Sequence, residues 1–485
     1  MFLDELFKDT PHIEIEQLSI DSRVPMKNCI FFCIAGIKYN GHDYIKEAIK
    51  NGANVIVYSQ DIDTSDNAIF IKVNDTADCL NQIAPKFFDY PLSKLETYVC
   101  SGCDGLPNVS YLIKKMIGNF KSSASIGVNG IYYGDNHLLS KVPTLPIIDT
   151  FRYLDTFVKN GVEAVVLESD PLAFSYKKLD GIKPDCFIYT NTNEYSTYYQ
   201  EKYLNYFKVL RSYLYTLDDD TIFVLNKDDV SYNELIDATG SKTYSYGFDT
   251  ESDFVIKNLK QSASGTSFTL LYNNVETIFK TALVGTKNLY SVVATLVALS
   301  LNGYELSELS LILSFVKFIE GEMQKVIEPS EYNIFIDSAS NPDTILQDYK
   351  FARSILKRGK KIVALLGING GDEKENIKEI ARESYEMVDR VILTENNSLN
   401  NNVDLILNNC SYLFKGNKPL LIEDRKIAIQ SAIDLLNSDD ILLILGKGKE
   451  QFLIRNLGRE SYEGDYVIAT EYIKEINKTK EEVYD

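Results

Sequence analysis

The stretch Thr97-Tyr-Val-Cys-Ser-Gly102-Cys-Asp-Gly105-Leu106-Pro107-Asn108 passes from strand-forming residues through two glycines into a helical pattern that continues to about residue 119. β-branched and aromatic residues, then glycines that allow a sharp turn, then apolar residues at helical spacing describe a strand–turn–helix unit. Such units build parallel sheets covered by helices. The polar, proline-containing segment 89–96 just before it reads as a domain boundary.

The same alternation extends in both directions. Upstream, over about residues 13–86, a buried strand at 30–34, a helix at 44–51 stopped by Gly52 and a strand at 55–58 form one small unit. Downstream, strand-like runs at 164–167, 186–189 and 222–225 alternate with helices. An amphipathic helix at 306–318 leads to a second boundary near Gly321. The pattern then restarts, with strands at 334–336, 362–366, 391–393 and 441–445 and helices at 344–356, 377–385 and 425–436. The expected fold class is α/β with three domains, over residues 1–90, 97–320 and 321–485. The charged tail 474–485 reads as a frayed helix end.

A chain of 485 residues suits about three domains of roughly 150 residues. Its 45% hydrophobic and 25% charged residues are those of a globular protein, not a disordered one. Fifty Lys and Arg against 69 Asp and Glu leave a net charge of −19, which disfavours bulk attraction to nucleic acid or anionic membrane. Any bound phosphate therefore needs a local site. No apolar run of membrane-spanning length and no signal-peptide core occur, and seven cysteines do not form a disulfide framework, so a cytoplasmic protein without membrane insertion is expected. His12, His42 and His137 do not read as catalytic bases. The acidic runs 61–66 and 218–220 read as solvated loops without metal.

Four elements in register in the first domain carry a resemblance: Ser19-Ile-Asp21-Ser22-Arg23, Cys33-Ile-Ala-Gly36, Asn40-Gly41-His42-Asp43 and Ala48-Ile-Lys-Asn-Gly-Ala53. In the middle domain Ile126-Gly-Val-Asn-Gly130, Glu168, Thr190-Asn191, Asn226-Lys-Asp-Asp229 and Gly285-Thr-Lys-Asn288 follow. In the last come Asp337-Ser-Ala-Ser-Asn-Pro-Asp343, Gly367-Ile-Asn-Gly-Gly-Asp372, Thr394-Glu-Asn-Asn397 and Gly446-Lys-Gly-Lys-Glu450. The chain resembles the Mur ligases, most closely the MurE type that adds the third residue to UDP-N-acetylmuramoyl dipeptide in peptidoglycan synthesis. The resemblance implies a small uridine-binding domain, a P-loop-like central parallel-sheet domain and a Rossmann-like C-terminal domain. It also implies that Ser19, Asp21, Ser22, Arg23, Gly36, Asn40, Gly41 and His42 lie at the UDP precursor, where backbone donors bind phosphate.

The family's nucleotide loop reads G-x-x-G-T-N-G-K-T-T, in which glycine amides cradle phosphates, the lysine balances charge and a hydroxyl ligates magnesium. Here Gly102, Asp104, Gly105, Leu106, Pro107 and Asn108 form a degenerate version, with Asn288 as a retained partner. Leu106 replaces the lysine and Pro107 the threonine. Glu168 remains, but Asp170-Pro171-Leu172 follows it in place of S-S-H, and Glu194-Tyr195 replaces an Asp-His pair. Val209 stands at the carbamylated-lysine position, with Lys208 one residue away. Glu322 and Glu373 replace arginines, Leu399 the arginine of D-N-P-R, and Ser340 and Lys449 histidines.

These departures lead to the expectation of a catalytically inactive homologue that binds a UDP-N-acetylmuramoyl precursor or other UDP-sugar, with cell-wall synthesis proteins as further partners. No cofactor is expected, and Glu168, Asp337 and Asp372 are vestigial. One alternative is an active ATP- and magnesium-dependent ligase, with Lys208, Lys287 or Lys447 supplying charge and Glu168, Asp337 and Asp372 holding magnesium. Another is a redox or metal role for Cys100 and Cys103, a C-x-x-C whose helix-terminus amides favour a lowered thiol pKa.

Overall fold

The computed structural model describes residues 1–36, 39–140, 142, 144–192, 206–416, 418–456 and 458–484. Glu194 and Tyr195 lie outside the described residues. Three sheets follow one another along the chain, with a short hairpin, Phe452–Arg455 and Gly458–Ser461, after the third.

The first sheet has four parallel strands, Gln17–Ser19, Cys29–Phe32, Ala53–Tyr58 and Ile69–Lys72. Cys29–Phe32 is buried on both faces, which is why it reads as an unbroken apolar run. The helix between the second and third strands is shorter than expected, Ile45–Lys50, because Gly41–Tyr44 forms a tighter 3-10 turn capped by the Asn40 side chain.

The second sheet has eleven strands, with a parallel centre and antiparallel strands at both ends. Glu96–Ser101 lies between Cys186–Tyr189 and Ala164–Ser169. Its side chains alternate: Val99 joins Phe151 and Phe187 on one face, and Tyr98 and Cys100 join Val109 and Val293 on the other. The strand delivers the glycine loop to the carboxyl end of the sheet, where ligands of open α/β sheets bind. The loop helix is Leu106–Ile117, starting two residues before the expected position. Proline in a first helical turn lacks only an amide that has no intrahelical partner, so Pro107 starts this helix and does not delay it.

The third sheet orders Gln324–Lys325, Asn333–Asp337, Ile441–Leu445, Ile362–Ile368, Arg390–Glu395 and Leu420–Leu421, parallel except for the first strand. Helices cover both of its faces, giving two separate apolar clusters. The helix before the hinge ends at Ser314, not 318. Val316 and Ile319 continue the apolar spacing but enter the central core from non-helical backbone. The charged tail continues one helix, Asp465–Tyr484, anchored by Ile468, Ala469 and Ile473.

Candidate functional site

The glycine loop closes on itself. Gly102 and Gly105 have φ of 139° and 76°, conformations that L side chains rarely adopt. These turns aim the amides of Cys103 and Asp104 at the Asn191 carbonyl, at 2.9 and 3.2 Å, while the Thr190 hydroxyl donates to the Asp104 carbonyl at 2.7 Å. Two backbone donors that a phosphate loop offers to its ligand are thus committed within the protein. Leu106 and Pro107 follow, with neither an ammonium nor a hydroxyl, and Pro107 has no N–H.

Charge at this loop comes from carboxylates. The Glu322 side chain accepts from Lys287 Nζ at 2.5 Å, Ser338 Oγ at 2.6 Å and Asn108 Nδ2 at 3.4 Å. Lys287 is only 8% exposed and lies 3.3 Å from Asp337, which is fully buried and accepts from the amides of Met323 and Ala339 at 2.6 and 2.7 Å. Asn288 bonds Asn108 on the loop helix and the Glu322 carbonyl at the hinge. Burial pushes Asp104 above the usual carboxylate range, opposed by Lys287. Lys287 is held well above the ordinary lysine value: burial lowers it, and the surrounding Asp337 and Glu322 charges prevail.

Beside this cluster a cavity of about 660 Å³ opens between the lobes. Pro107, Asn108, Lys114, Glu168, Glu322 and Lys449 are among its lining residues. Glu168 is buried and accepts from the Val128 amide at 2.7 Å; burial raises its pKa, opposed by that bond. Gly321, at φ 69°, packs on the loop 446–449, where an added Cβ would meet Lys449 N at 2.2 Å. Gly321→Ala is therefore expected to lower stability by about 1–3 kcal/mol through overpacking. Thermal unfolding of the variant at the parent's temperature would refute this.

Several sequence expectations change here. Asp372 does not line the cavity; its carboxylate accepts from Asn369 N and Nδ2 at 2.8 and 3.1 Å. Among the described residues no three His, Cys, Asp or Glu form a group able to hold a metal, and of the three carboxylates only Glu168 lines the cavity. Lys208 is exposed, Lys287 is saturated by carboxylates, and Lys447 donates to Asn397 Oδ1 and Glu450. Cys100 is fully buried and its thiol is pushed well above the ordinary value, the opposite of an activated thiolate. Arg455 reaches Glu395 at 2.9 Å beside Leu399, so a guanidinium is near the altered D-N-P-R element but is paired internally.

In the first domain, Ser19 closes a turn on Asp21, whose carboxylate binds Arg23 through bonds of 2.8 and 2.7 Å. The Ser22 hydroxyl donates to Glu47, and Asn51 Nδ2 donates to the Ser22 carbonyl at 2.7 Å. Gly41 brings its backbone against Cys33, where a Cβ would meet Cys33 at 2.9 Å. Gly36 donates to the Tyr39 carbonyl at 2.9 Å. His42 Nε2 accepts from the Ser59 amide at 3.0 Å, leaving Nδ1–H for Asn40 Oδ1 at 2.8 Å. Burial keeps its pKa below the ordinary value. His42 braces the loop as a neutral ring.

Family descriptions match in the same order as the three sheets: Mur ligase family, catalytic domain, over residues 14–88; Mur ligase middle domain over 101–299; and Mur ligase, glutamate ligase domain, over 323–448. The chain belongs to the Mur ligase family. It is 27% identical over 469 residues to UDP-N-acetylmuramoyl-L-alanyl-D-glutamate–2,6-diaminopimelate ligase of Halalkalibacterium halodurans, covering 95% of each chain. It is 29% identical over 477 residues to UDP-N-acetylmuramyl-tripeptide synthetase 2 of Oceanobacillus iheyensis, again with 95% of each covered. A solved UDP-N-acetylmuramoyl-L-alanyl-D-glutamate–2,6-diaminopimelate ligase aligns with TM-score 0.74 at 20% identity, over 98% of this Mur ligase homologue and 99% of that chain. The MurF ligase of Thermotoga maritima in complex with ADP aligns at 0.59 and 16%, over 97% and 98%. These likenesses establish the three-domain fold.

Proposed function

We propose that this Mur ligase homologue acts in peptidoglycan-precursor assembly by holding a UDP-N-acetylmuramoyl peptide, or a related UDP-sugar, without driving peptide-bond formation with ATP. The pathway and ligand class are supported by the names of relatives that align over nearly the whole chain. The loss of ligation is supported by side-chain geometry. The observation that carries it is the commitment of the Cys103 and Asp104 amides to Asn191, beside Leu106 and Pro107 and facing Glu322. One lost electrostatic contact at a transition state typically costs ~10²–10³ in rate, and several are replaced here. No cofactor belongs to this reading. It describes a sensor or scaffold for wall-synthesis proteins working in the cytoplasm, a reducing compartment that suits seven scattered cysteines. Among the described residues, no helix is long and apolar enough to cross a membrane.

Titration calorimetry with UDP-N-acetylmuramoyl dipeptide is expected to give saturable heat, and titration with Mg-ATP none. Heat with ATP, or none with the UDP compound, would count against the reading. The second reading is an active ligase with a rebuilt site. It is favoured by relatives named as ligases and by Lys114 and Lys449, which line the cleft. Phosphate release with a panel of amino acids, abolished by Glu168→Gln, would make it the better account.

A further inference from the structure

The Glu322–Lys287 pair joins three parts of the molecule. Lys287 belongs to the helix Thr286–Leu301 of the central lobe, Glu322 to the hinge and Asp337 to the first parallel strand of the C-terminal lobe. Asn108, on the helix that follows the glycine loop, bonds the same Glu322 carboxylate, and Ser338 bonds it from the C-terminal side. A carboxylate therefore stands near the start of the loop helix, where a phosphate loop places a phosphate, and an ammonium stands beside it as counter-cation.

We infer that Glu322 and Lys287 form an internal surrogate for a phosphate and its cation, a latch that holds the central and C-terminal lobes together without nucleotide. In enzymes with lids, bound ligand commonly supplies the contacts that stabilise closure. Here the chain supplies them itself. Lys287 contacts both sides of the cleft, and Gly321 lets the hinge seat against the loop 446–449. Burial makes the latch consequential, because removing one partner of a buried pair leaves the other charge uncompensated. The inference goes beyond the proposed ligand and stands whether or not the chain ligates.

The test uses the full chain without nucleotide or UDP compound, so it can fail separately from the proposed function. Small-angle X-ray scattering and amide hydrogen exchange would compare the parent with Lys287→Met, Lys287→Arg and Glu322→Gln. Lys287→Met is expected to enlarge the maximum dimension and to speed exchange at the Met323, Ala339 and Gly448 amides about tenfold or more. Glu322→Gln is expected to do the same to a smaller degree, and Lys287→Arg to stay near the parent because it keeps the charge. Circular dichroism establishes that each variant is folded. If Lys287→Met does not fold, the Glu322→Gln comparison decides. Parent-like scattering and exchange in a folded Lys287→Met, or in Glu322→Gln where it decides, would overturn the latch.

Discussion

Arg425→Met is expected to remove about 3–5 kcal/mol of stability, the usual loss when one member of a buried ion pair is taken away. Arg425 and Asp465 have side chains 1% and 0% exposed and share two bonds, Nε to Oδ1 at 2.8 Å and Nη2 to Oδ2 at 2.7 Å. The same guanidinium donates to the Leu445 carbonyl at 3.0 Å and the Glu395 carbonyl at 3.4 Å. It therefore ties the ends of two parallel strands to the start of the helix Asp465–Tyr484. Gly367 leaves the room: a Cβ there would meet Arg425 Nη1 at 2.4 Å. Methionine replaces the volume but leaves Asp465 buried with only part of its hydrogen bonding, from Tyr462 at 2.7 Å. Arg425→Lys is expected to recover only part of the loss, because an ammonium cannot reproduce the two-pronged geometry. Urea unfolding measures both variants. A loss under about 1 kcal/mol for Arg425→Met would show that the pair is far less important than its burial implies. The segment that follows Leu445, residues 446–450, lines the cleft, so this stability also sets the position of the site.

The strand–turn–helix at 97–108 was legible because local rules govern it. Strand residues alternate between two cores, glycines accept the turn, and proline suits a first helical turn. The alternation even places Cys100 inside, among the core residues of the central domain. The state of the loop was less legible, because its amides are spent on the carbonyl of Asn191, far along the chain. A backbone acceptor leaves no mark in residue type. Lys287, Glu322 and Asp337 are likewise ordinary charges in sequence, separated by long intervals. Only tertiary burial turns them into one coupled group, and this is why Lys287 reads as an available cation and is not one. The replacement of an expected arginine by Glu322 was the one visible signal.

The same cluster predicts that stability falls as pH rises above the acidic range. Burial pushes Asp337 up from 3.8 to about 6, against the pull of Lys287. Burial and the neighbouring Asp337 charge raise Asp348 well above its ordinary value, and Asp348 Oδ2 has no hydrogen-bond partner among the described residues. An acid whose folded pKa exceeds its unfolded value holds extra protons in the folded state between the two. Stability is then lost as pH rises through that window. For Asp337 the window runs from 3.8 to about 6. For Asp348 it begins at the same lower end and extends upward. Lys287, held above its ordinary 10.5, keeps its contribution throughout this range and adds no slope. Urea unfolding is therefore expected to show a more stable chain at about pH 5.5 than at pH 8. The net charge of −19 pushes in the same direction by general repulsion, so the slope alone does not identify its source. Asp348→Asn separates the two, since it deletes one buried titration while changing the net charge by a single unit. The variant is expected to reduce the difference in stability between the two pH values. An unchanged difference would assign the slope to surface repulsion and leave the buried acids without the role given to them here.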